Sequence, residues 1–85
     1  MDEIKRALEA VQAAGFVTGP AWEKAHRVAQ GKEGEAAHDR LHAFLHRIEG
    51  DDANAAYWYR RAGEPVFEGD FASECTLLLE RARGS

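Results

Sequence analysis

His38, His42 and His46 recur at every fourth residue, and Glu49 follows His46 by one turn. On a helix advancing about 100° per residue these four side chains fall within about 80° of arc. Imidazoles and a carboxylate would then line one edge of the helix. Imidazole titrates near neutral pH, and its neutral form is a good ligand for zinc and related metals. The row cannot close on a single ion. At about 1.5 Å of rise per residue His38 and His46 stand about 12 Å apart, whereas zinc–nitrogen bonds are about 2.0–2.1 Å. Only a neighbouring pair such as His42 and His46 can share an ion, and His26, from an earlier segment, would have to complete the shell. The zinc-protease helix, with glutamate directly after its first histidine, is excluded in this register because Ala43 follows His42. The plain alternative is structural: histidines bordering a core hydrogen-bond to a carboxylate or carbonyl and hold helices together.

A second polar and aromatic stripe, Asn54, Trp58 and Arg61, follows at helical spacing. If its helix packs antiparallel to the histidine helix, His42, His46, Glu49, Asn54, Trp58 and Arg61 converge on one patch, with Tyr57 exposed beside it. Arg61 could there grip a carboxylate or phosphate with two parallel hydrogen bonds. Against this, surface ion pairs and core aromatics are commonplace. Arg61 would then pair with Glu49 or Asp51, and Trp58 would belong to the core.

Five segments must position these groups. Residues 2–14 carry Ile4, Ala7, Leu8, Val11 and Ala14 on one helical face, and Gly15 ends them. Phe16 and Val17 read as an apolar link. Thr18-Gly19-Pro20 starts a second helix to about Gln30, with Trp22, Ala25 and Ala29 sharing a face and His26 one turn after Trp22. Residues 35–49 hold an apolar stripe of Ala37, Leu41, Phe44, Leu45 and Ile48. Gly50-Asp51-Asp52 stops that helix and can cap the next, about residues 52–63, with Ala55, Trp58, Tyr59 and Ala62 on one side. Gly63-Glu64-Pro65 closes it, Phe67 turns inward, and a last helix runs from Asp70 or Phe71 to Arg83. Cys75 lies inside its apolar stripe, which suits a small buried group better than a nucleophile. Ser73, at the start of that helix, reads as a cap. No segment alternates as a half-buried strand does. The expectation is a single all-α domain of four to five short helices.

Eighty-five residues with 31% charged and 45% hydrophobic side chains is a folded composition. The net charge of −4 and the absence of a basic run argue against nucleic acid, despite aromatics that could stack on bases. One cysteine allows no internal disulfide. There is neither an apolar leader nor a run of about 18 apolar residues that could span a bilayer. These features predict a cytoplasmic protein with no membrane partner. There is no glycine-rich phosphate loop.

The stretch 36–65 resembles a tetratricopeptide unit. Ala43, His46, Gly50, Ala55, Tyr59 and Ala62 fall at the unit's small, aromatic, glycine, small, aromatic and small positions. His46 stands where the unit has an aromatic, and Pro65 comes slightly early. The resemblance implies an antiparallel hairpin, capped by the first and last helices because a lone unit cannot bury its own apolar face. LHAFLHRIEGD, preceded by WEKAH and followed by NAAYWYRRAG, is also similar to a family of small bacterial and fungal helical proteins, a likeness that implies a fold and no chemistry. The functional expectation is an interaction module binding a protein, a peptide or a second copy of itself through the patch above, without a cofactor. The alternative is a small metal-dependent or acid–base enzyme using His26, His42, His46 and Glu49, with zinc or another divalent metal. An enzyme needs a water-excluding pocket, for which a chain this short has little material unless a dimer builds it, so binding ranks ahead of catalysis.

Overall fold

The computed structural model describes residues 2–84. They form five helices: α1 (Asp2–Ala13), α2 (Pro20–Gln30), α3 (Ala36–Ile48), α4 (Asp52–Ala62) and α5 (Phe71–Gly84). No strand occurs among the described residues, and the fold is all-α. No described helix is long and apolar enough to cross a membrane.

The helix ends follow local chemistry. Pro20 opens α2, where its missing N–H is no loss. The Asp51 carboxylate caps α4, accepting from Asn54 N at 3.2 Å. Gly63 closes α4 in the left-handed conformation at φ 77°, which glycine adopts without a Cβ clash. The cap of α5 is Asp70, whose Oδ1 accepts from Ser73 N at 2.8 Å, so Ser73 is the capped residue and not the cap. After α1 the chain turns through Gly15 (φ 84°) and Phe16 (φ 57°). The left-handed phenylalanine costs about 1–2 kcal/mol. The turn brings its ring to 6.3 Å from both Phe44 and Phe71. The expected apolar link is therefore divided: Phe16 plugs the core and Val17 faces solvent.

α3 is the axis of the molecule. It packs on α2, α4 and α5, while α1 bridges α2 and α5. Every residue from His38 to His46 is buried. The sequence pattern predicts a helix with one apolar stripe, and the structure instead encloses α3 on all sides. Its polar residues survive burial because partners meet them. Arg40 reaches Glu64 and Glu74, and His38 is held between Glu35 at 2.5 Å and Glu3 at 2.8 Å. The main core joins Leu8, Val11, Ala29, Leu41, Phe44, Leu45 and Leu79. A second cluster of Ala43, Ala55, Trp58 and Tyr59 lies between α3 and α4, with Phe67 turned in against it.

Ala43 and Ala55 are almost wholly buried where α3 and α4 meet, so their methyl-sized side chains set the spacing of the hairpin. Ala43→Leu should cost about 1–3 kcal/mol by overpacking, measured as a lower urea midpoint with an unchanged slope.

Candidate metal centre

Three helices each bring part of one aromatic cluster. Helical spacing stacks Trp22 on His26 along α2, with centroids 4.8 Å apart and planes 10° apart. The same spacing stacks His42 on His46 along α3, at 4.8 Å and 21°. The α2 rings meet the α3 rings edge-on: His26 is 4.7 Å from His42 at 84° and 5.4 Å from His46 at 77°. From α4, Trp58 covers the far face of His42 at 3.9 Å and 14°. The Trp22 indole N–H donates to Leu45 O at 2.8 Å and ties α2 to α3 beside the cluster.

This arrangement gathers imidazole nitrogens from two helices. His26 Nε2 and His42 Nε2 are 3.0 Å apart. One ring nitrogen from each of His26, His42 and His46 lies within 4.8 Å of the other two. Two nitrogens on a tetrahedral zinc, bonded at about 2.0–2.1 Å each, are about 3.3–3.4 Å apart. The His26–His42 pair is within a few tenths of an ångström of that spacing, and the third nitrogen, within 4.8 Å of both, would have to move inward to share the ion.

The electrostatics suit a ligand set. Burial, and then the neighbouring His26 and His46 charges, lower the His42 pKa to about 4. Burial, and then His46, also lower His26 below its ordinary value. Both rings are therefore neutral at pH 7, the state in which imidazole offers a lone pair. The outer nitrogen of His46, Nδ1, meets Glu49 Oε1 at 2.5 Å, which leaves Nε2 as its free nitrogen. A carboxylate behind a ligand histidine fixes its tautomer and raises its basicity.

The depressed pKa of His42 has a measurable consequence for the metal-free chain. An unfolded chain takes up this proton near 6.5, and the folded chain resists until about 4. Between those values the unfolded state binds more protons, so stability rises with pH there. The contribution is complete above 6.5 and is lost on acidification toward 4, amounting to about 2–3 kcal/mol at about 1.4 kcal/mol per pH unit. Urea melts at pH 7 and pH 4.5 should show that loss, and His42→Gln should flatten it.

The row along α3 divides as the spacing argument requires. His38 faces Glu3 and Glu35 and takes no part, whereas His42 and His46 meet His26. The second polar stripe is put to other uses. Asn54 is engaged at the α4 cap, where its Nδ2 donates to Asp51 Oδ2 at 3.4 Å. Arg61 donates to Tyr57 Oη at 2.8 Å and lies over the Trp58 ring at 5.2 Å, in place of the ion pair with Glu49 or Asp51. Glu49 and Asp51 could join His46 around an ion, but the Asp51 carboxylate already serves as the α4 cap. His42, His46 and Trp58 are all buried. Glu49, Asn54, Tyr57 and Arg61 are exposed around these three buried rings. Two surface grooves, of about 230 and 260 Å³, lie between α1, α3 and α5 and between α1 and α2, and no histidine lines either.

Sequence reasoning placed His26 one turn after Trp22 without foreseeing that Trp22 would wall the cluster. It also missed Asp39 and Glu74, both fully buried, because a charged side chain on a helix is ordinarily solvated. Comparison with protein-family models, with curated proteins and with solved structures finds no match for this chain.

Proposed function

We propose that this chain is a small metal-binding domain in which His26, His42 and His46 hold one divalent ion of the zinc type. The observation that carries the reading is the convergence of three imidazole nitrogens with no carboxylate among them. An imidazole–imidazole pair can share one proton across a 3.0 Å contact. A third neutral nitrogen beside it gains nothing from that proton, whereas a cation draws all three lone pairs. Glu49 backs His46, and Trp22 and Trp58 sandwich the His26–His42 pair so that both rings are held in place.

Three histidine ligands leave a fourth tetrahedral position for water or an incoming group. His26 is half-buried at the rim, so an ion can enter and leave there. The ion would clamp α2 onto the α3–α4 hairpin, coupling metal occupancy to folding.

The test is direct. Protein purified without added metal, equilibrated with zinc and separated from excess, should carry one equivalent by elemental analysis. Cobalt substituted for zinc should give the intense visible bands of a tetrahedral site. His26→Ala and His42→Ala should each lose both signals. Full stoichiometry in the two variants, or no zinc retained by the parent chain, sinks the reading.

A further inference from the structure

The three imidazoles differ in what meets their outer nitrogen. His46 Nδ1 has Glu49. His42 Nδ1 is buried and has no protein partner. One turn earlier on the same helix, Asp39 is completely buried. Its Oδ1 accepts from Gly34 N at 3.0 Å, and its Oδ2 is buried without a hydrogen-bond partner, as is Arg40 Nη1, which the Glu74 carboxylate meets at 2.6 Å. Residues three apart on a helix are neighbours, with Cβ atoms about 5–6 Å apart. Asp39 Oδ2 and His42 Nδ1 are therefore an acceptor and a potential donor on adjacent turns, without a direct bond.

Buried polar groups left in this state are ordinarily joined by ordered water, which makes two to four hydrogen bonds. We propose that Asp39 is the positioning residue for His42: its Oδ2, through one buried water, keeps the His42 proton on Nδ1 and leaves the Nε2 lone pair facing His26. Two carboxylates on α3 and at its end, Asp39 and Glu49, would then perform the same service for two successive histidines. Each holds the outer nitrogen so that the inner one keeps its lone pair, the arrangement that orients metal-bound histidines generally. The consequence for affinity rests on the metal reading above. The tautomer does not, because it belongs to the metal-free chain.

Asp39→Asn separates the two. The asparagine Oδ1 can keep the Gly34 N–H, while an NH2 donor replaces Oδ2. The water then accepts from the amide and donates to His42 Nδ1, moving the ring proton to Nε2. Long-range proton–nitrogen spectra of metal-free protein at pH 7 should show His42 protonated at Nδ1 in the parent chain and at Nε2 in the variant. A merely structural role would not move that signature. Zinc affinity should fall about 10–100-fold in the variant. An Nε2–H ring in the parent chain overturns the proposal without any variant having to fold. So does an unchanged tautomer in Asp39→Asn, or unchanged zinc affinity once the tautomer has switched. If the parent chain shows Nδ1–H and binds no zinc, the metal reading fails and the Asp39–His42 link stands.

Discussion

Glu74→Ala should unfold this protein at temperatures where the parent chain is intact. Glu74 on α5 is fully buried, and three groups converge on its carboxylate. Arg47 Nη1 and the Tyr59 hydroxyl donate to it, and Arg40 Nη1 forms an ion pair at 2.6 Å whose angles fall outside those of a hydrogen bond. Burial, and then the contact with Glu74, push the Tyr59 hydroxyl well above its ordinary pKa, so it stays a donor. Arg47 also donates to Gly69 O at 2.7 Å and lies 5.2 Å over the Phe71 ring, which ties the segment leading into α5 to the same point. Arg40 is further paired with Glu64 at 3.1 Å, and Glu64 with Arg81 at 2.7 Å. Removing the central anion leaves Arg40 buried with only a partly exposed counter-charge, and breaking a buried pair in this way costs about 3–5 kcal/mol. Small domains have about 5–15 kcal/mol in total, and at about 4–8 °C per kcal/mol the melting temperature should drop by at least about 12 °C. Glu68→Ala, on the exposed loop before α5, should stay within about 0.5 kcal/mol. A Glu74→Ala loss below about 1 kcal/mol would show that the cluster is not what holds α5 in place.

Zinc should raise the melting temperature of the parent chain and leave that of His26→Ala unmoved. A ligand that binds only the folded state adds about 2.7 kcal/mol at a hundred times its dissociation constant. For a domain of this size that is about 10–20 °C. His26 is the informative position because it is half-buried on α2, so its loss should leave the core of the metal-free protein intact. Melting curves with zinc, and with zinc followed by a chelator, measure the shift and its reversal. A shift of equal size in His26→Ala would place any bound zinc somewhere other than the three imidazoles.

Much of the fold was legible because helix formation here follows local rules. Apolar spacing marks all five helices, and Gly15, Pro20, Gly50, Asp51 and Gly63 mark their ends within a residue or two of the observed limits. The inward Phe67 and the buried Cys75 follow from the same pattern. Part of the site was legible too. The rise of about 12 Å between His38 and His46 separates those two, and His38 indeed meets Glu3 while His26 lies against His42. What could not be read was which side of α3 remained open. Periodicity reports an apolar stripe, and α3 has one, but its Asp39, Arg40, His38 and His42 are also enclosed. Nothing in their local sequence says that Glu3, Glu64 and Glu74, 24 to 35 residues away, would meet two of them, His38 and Arg40.

By itself, the order of residues determined where the chain coils and where it turns, because those outcomes depend on neighbours a few positions apart. It also determined that His42 and His46 would share a face. The tertiary structure alone decided that His26 crosses to within 3.0 Å of His42 and that Trp58 closes over His42. It also decided that a glutamate on the last helix anchors two arginines of the third. Those contacts depend on how whole helices pack, and packing is set by burial summed over the entire chain.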